Sequence, residues 1–164
     1  MIFLNVNAQE GDTGREEHHP RHQLAAGFGF TFIPVAGGLG DTEARGLFVP
    51  QIGLDYFYHI HGRWGGGLMA DYELDHYMIV EQQIEREHAL LLILAGEFKI
   101  TEHWAVFAGG GVEIEPHDHL GVVRLGAEYS IVLKKNWVLL PMLYFDFKEN
   151  YDTWSFAVSI GKRF

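Results

Sequence analysis

Cysteine is absent from the 164 residues, so neither a disulfide framework nor a thiolate metal site can be built. Long apolar runs are absent too: the longest, Ala89 to Ala95, falls far short of the roughly 18 to 20 residues that a membrane-spanning helix needs. Basic residues are scarce, Lys plus Arg 12 against Asp plus Glu 22. A formal net charge of -10 argues against nucleic acid as a partner. A phosphate-cradling loop is missing as well, since Gly109-Gly110-Gly111 is followed by neither a Lys nor a helical pattern.

What is abundant is alternation. In the closing stretch, Trp154, Phe156, Val158, Ile160 and Phe164 occupy every second position except Lys162, and Ser155, Ala157, Ser159, Gly161 and Arg163 lie between them. Period two means a strand with two unlike faces. The slim face is too small and too weakly polar for an exterior in water, so it suits a tight lumen, with the bulky face in apolar surroundings. Glycine at 20 residues and aromatics at 14 % agree with aromatic girdles around a narrow lumen. A mean hydropathy of -0.02 is uninformative, because opposed faces average out.

The pattern recurs through the chain. Strands are expected from Gln23 to Phe32, Val49 to His61, Trp64 to Leu74, Ala89 to Ile100, Trp104 to Glu115, Val123 to Leu133, Trp137 to Phe147 and Trp154 to Phe164. Longer polar connections (34–46, 75–87) alternate with tight turns such as Gly62-Arg63, Thr101-Glu102-His103 and Lys134-Lys135-Asn136. Pro141 cannot donate to a ladder, so a bulge or local break is expected there. The weakest distinction between faces falls in 89–100, where both are apolar.

A terminal Phe164 preceded by alternating apolar residues, together with eight strands and long and short connections in turn, resembles the small bacterial outer-membrane β-barrels of the OmpA/OmpX-type class. The resemblance implies an all-β, eight-stranded antiparallel up-and-down transmembrane barrel, monomeric, in contact with outer-membrane lipid. It also implies that Phe164 is an assembly signal for the barrel-assembly machinery. A soluble lipocalin-like barrel is the alternative; it would need the bulky face inside, overfilling an eight-stranded lumen. Residues 1–9 read as a residual signal-peptide-like segment, with Val6-x-Ala8 as the small-residue pattern before cleavage. The polar stretch 10–22 reads as a disordered periplasmic leader, and 23–164 as the barrel.

Candidate site residues lie on the slim face. Asp55, Asp71, Glu73, Glu97, Glu113, Glu128 and Asp146 face inward against only Lys99, Arg124 and Arg163. Buried charges of one sign are costly unless paired or protonated, so a salt-bridge network plugging the lumen is expected, with a narrow small-solute or cation passage, or a cation-binding interior, as the sharper alternative. Among ten histidines, His59-x-His61 and His117-x-His119 have a spacing that suits Zn or Cu, and Glu115 could complete the second set. Ser130, Ser155 and Ser159 show no Ser-His arrangement, so an acyl hydrolase or transferase ranks third. The expected role is non-enzymatic, structural or one of surface interaction.

Overall fold

A computed structural model describes residues 20–35, 45–74, 76–79, 84–115, 119–149 and 151–164. In chain order the strands are β1 (His22–Val35), β2 (Arg45–His61), β3 (Trp64–Glu73), β4 (His76–Ile79), β5 (Ile84–Glu87), β6 (Leu90–Lys99), β7 (Trp104–Ile114), β8 (His119–Tyr129), β9 (Ile131–Val132), β10 (Trp137–Lys148) and β11 (Asp152–Arg163). Neighbours pair antiparallel in the order β1-β2-β3-β6-β7-β8-β10-β11. The ladder then closes, because β11 also pairs β1 from Gln23↔Arg163 to Phe32↔Trp154. β9 continues β8 along β10 in the same register, which makes eight spanning strands. The expected eight-stranded barrel is the fold found.

Alternation decides what faces where. In β6, the stretch with the least distinct faces, Ile93 is 0 % exposed and its neighbour Leu94 is 72 % exposed. Leu54, Val123, Leu125, Leu143, Phe156 and Ile160 are likewise exposed on the outer wall. An apolar surface this continuous is far larger than soluble monomers leave in water, and its solvent is hydrocarbon. Trp64, Trp104 and Trp137 stand exposed at the strand ends beside the tight turns, whereas Trp154 stands towards the other end. That is the interfacial placement expected of aromatic girdles.

Turns and prolines explain the departures from the simple pattern. Gly62 closes the β2–β3 turn at φ 59, where an L side chain is strained. β1 and β2 run further than the loop composition suggests, pairing out to Val35↔Arg45. Pro34 fits there because β1 pairs with β11 only as far as Phe32, so its missing N–H falls near a free edge. Pro141 keeps its register with Val158 of β11. On its other side the ladder lapses between Glu128 and Ile131, a local break without a bulge. The polar 75–87 connection is not plain loop, because β4 and β5 form a hairpin of their own, from His76↔Glu87 to Ile79↔Ile84.

Candidate functional site

The lumen is solid at mid-height. Phe57, Met69, Ile93, Phe107, Val122, Met142 and Tyr144 pack together inside the wall, as expected for eight strands, whose interior is just wide enough for side chains to fill. Arg124 of β8 passes through this core at 0 % exposure. Its Nε and Nη2 donate to the two carboxylate oxygens of Asp146 on β10 at 2.7 and 2.8 Å, and its Nη1 donates to Asp71 on β3. The guanidinium also lies 4.0 Å from the centroid of the Tyr144 ring. Around it, Gln51 donates to the Tyr144 hydroxyl, Thr31 donates to Gln51 Oε1 at 3.0 Å, and the Thr31 and Ser155 hydroxyls are 2.9 Å apart. Residues on β1, β2, β3, β8, β10 and β11 are thus joined through one polar layer inside an apolar plug.

Towards the long connections a second layer centres on Lys148. Its Nζ is ion-paired with Glu113 of β7 at 2.5 Å and lies 3.8 Å from Glu73 of β3. Tyr151 donates to Glu113 at 2.9 Å. Both side chains of the pair are fully buried, and Tyr151, which touches both, belongs to a buried cluster with Ile33, Val49 and Leu120. Lys148 lies one residue beyond the strand expected to end at Phe147, yet it closes β10 and shares parity with Tyr144 and Asp146, a signal in the sequence for an inward cation.

At the tight-turn end the lumen opens. Arg163 donates from Nε to Gln23 Oε1 and from Nη2 to Ser130 Oγ, both at 2.8 Å, and Ser130 donates to Glu128 at 3.3 Å. His59 Nε2 lies 3.8 Å from Glu97 Oε2. A cavity of about 460 Å³ sits at this mouth, lined by Arg21, His59, His61, Lys99 and Arg163 among others.

Six of the seven predicted lumen acids therefore fall into three groups, and Asp55 stands apart. Asp71 and Asp146 meet Arg124, Glu73 and Glu113 meet Lys148, and Glu97 and Glu128 lie towards the mouth with Lys99 and Arg163. Arg124 and Glu128 share a face without being partners. Asp55 is buried, and its Oδ1 has no hydrogen-bond partner among the described residues.

Of the histidine sets, His117 lies outside the described residues, while Glu115 is buried and His119 is exposed at the start of β8. A register irregularity separates His59 from His61. Ser155 and Ser159 are buried in the lumen, and Ser130 serves Arg163 and Glu128. Phe164 stands exposed on the rim, where its backbone exchanges hydrogen bonds with His22 at 2.9 and 3.0 Å and its ring stacks on the His22 ring. The signal-peptide-like segment and residues 10–19 of the leader lie outside the described residues. Arg21 does not, and its carbonyl accepts the His59 N–H at 2.7 Å, extending the β1–β2 ladder.

No protein-family model matches the chain, and no curated protein matches it by sequence. Solved structures do. Ail, the attachment invasion locus protein of Yersinia pestis, superposes with a TM-score of 0.58 at 12 % identity over 89 % of this chain and 99 % of that one. Neisserial surface protein A gives 0.54 at 8 % identity over 87 % and 97 %. The N-terminal β-barrel domain of Pseudomonas aeruginosa OprF gives 0.54 at 11 % identity over 89 % and 99 %. All three are small outer-membrane barrels of eight strands, and at such identities the likeness is one of fold.

Proposed function

We propose that the chain is a non-enzymatic barrel of the bacterial outer membrane, structural or engaged in surface interaction through the connections at its loop end. The carrying observation is the plug. Arg124 at 0 % exposure between Asp71 and Asp146 inside a packed apolar core supports a lumen filled by its own side chains at mid-height and a scaffold role for the barrel. What varies freely in such a scaffold is the loop end, where β1 and β2 extend past the closing ladder and β4 and β5 add a hairpin. Two proteins of like fold carry names that speak of attachment, invasion and the cell surface. Phe164, paired with His22 on the rim, fits the part of an assembly signal presented at the tight-turn end.

Planar-bilayer recording tests the first half: the purified barrel should give no discrete conductance steps in molar salt. Steady cation-selective steps would sink the plugged reading in favour of a passage. Cells displaying the chain, compared with cells displaying a variant in which 75–87 is replaced by a tight turn, test the second. Loss of adhesion with the barrel still folded is the expected result.

A further inference from the structure

The cations of the lumen are treated differently at its two ends. Arg124 and Lys148 are ion-paired inside the wall, whereas Arg21, Lys99 and Arg163 line the mouth cavity and none of the three is ion-paired with a carboxylate among the described residues. Parity puts them together. Arg21 continues the inward set of Gln23 and Ala25, Lys99 that of Glu97, and Arg163 that of Gly161, all at the last level of the lumen.

The nearest acids, Glu97 and Glu128, lie on the same inward sets one step deeper. Glu128 accepts from Ser130, and Glu97 is faced by His59. Gln23 and Ser130, both neutral, orient the Arg163 guanidinium without neutralising it. Neither ring nitrogen of His59 has a hydrogen-bond partner among the described residues. Three cations without a salt-bridge partner among the described residues, Arg163 held in place by Gln23 and Ser130, and an imidazole without a hydrogen-bond partner among them surround about 460 Å³, a concave site of the size small ligands occupy.

We propose that this mouth binds a small multivalent oxyanion of the phosphate or phosphate-ester class. Arg21 and Arg163 supply planar donor pairs that match phosphate oxygens, and Lys99 supplies a point charge. His59 offers a ring nitrogen to a remaining oxygen. Tight turns of such barrels face the periplasm, so the phosphate comes either from a soluble ester there or from the headgroup of a lipid in the inner leaflet. That orientation rests on the outer-membrane assignment; the binding itself does not.

Titration calorimetry of the full chain, refolded in an uncharged detergent, with inorganic pyrophosphate as probe should show one saturable site. Lys99→Gln and Arg21→Gln should each weaken it about tenfold or more, the loss expected for a charge-assisted hydrogen bond. A Lys134→Gln, Lys135→Gln variant, altered only at an exposed turn, should bind as the parent does. Repeating the titration in mixed micelles containing phosphatidylglycerol separates the sources: displacement of pyrophosphate assigns the site to a headgroup, and unchanged affinity assigns it to a soluble ester. Absence of saturable binding, or equal weakening by the Lys134, Lys135 variant, overturns the proposal. So does unchanged affinity in Lys99→Gln and Arg21→Gln barrels that fold as the parent does.

Discussion

Arg124 and Arg163 project into the same lumen from different strands, β8 and β11, yet they keep opposite company. Arg124 is held by two carboxylates and an aromatic face with no access to water, whereas Arg163 is held by an amide and a hydroxyl at the edge of an open cavity. Moving an ion out of water costs several kcal/mol even after relaxation, and an opposite charge with good geometry offsets it. Where the lumen is filled, each cation must be matched; where water reaches it, a cation can stand unmatched. Lys148, its side chain fully buried against Tyr151 and paired with Glu113, obeys the rule of the dry interior at the far end. Pairing in this barrel therefore follows access to water and not residue type.

The comparison is broken most forcefully at Arg124. Arg124→Met leaves Asp71 and Asp146 facing each other in a dry core and should cost about 3 to 5 kcal/mol, the usual result of removing one partner from a buried pair. Lys148→Met should cost about as much through Glu73 and Glu113. Urea unfolding in bilayers measures both. Adding Asp71→Asn and Asp146→Asn to Arg124→Met should recover most of the loss, since no uncompensated charge then remains. A triple variant as unstable as the single one would mean that lost packing, and not lost pairing, was responsible.

Next in size comes a charge placed on the wrong side of the wall. Leu94 lies near the middle of β6 and faces outward, so Leu94→Arg should cost about 2 to 4 kcal/mol in lipid. The same variant examined in water should show little loss if the barrel were a soluble one. Smaller still is Gly126→Ala. A Cβ there would run into the Phe107 ring and sit 2.7 Å from Tyr144 Cβ, and overpacking of a filled core costs about 1 to 3 kcal/mol. A neutral outcome at Gly126 would show that the Phe107 ring has room to move and that the plug is looser than its burial suggests.

How far the chain's own pattern carried can be followed residue by residue. Period two told Ile93 from Leu94 even where both are apolar, because side-chain direction in a strand is set by backbone geometry and not by composition. It named Asp71, Arg124 and Asp146 as inward, but the pairing of Arg124 with Asp71 spans the lumen between β8 and β3, and alternation along one strand holds no information about what lies across it. The β4–β5 hairpin was hidden because strands beyond the apolar belt need no apolar face, so 75–87 reads as loop. Parity also fails to cross a turn: Glu115 is buried, yet His119, two steps of the alternation later, is exposed. Sites assembled from within one strand were legible; those assembled across turns or across the lumen were not.

The smallest expected effect sharpens the comparison most, because it concerns the same residue type. Arg163→Gln removes two hydrogen bonds to Gln23 and Ser130, but both partners are neutral and stand beside an open cavity where water can replace the lost donor. A net hydrogen bond contributes about 0.5 to 1.5 kcal/mol, and leaving its partner solvated recovers part of that. Arg163→Gln should therefore cost about 1 kcal/mol, well below Arg124→Met measured in the same bilayer. The nearby Glu97 and Glu128 lose some compensation in this variant, so added salt, which screens charges reached by solvent, should shrink the difference from the parent. Arg124→Met, shielded from ions by the plug, should show no such response to salt. If Arg163→Gln proved as costly as Arg124→Met and equally deaf to salt, the mouth would be as dry as the core, and access to water would no longer explain why the two arginines differ.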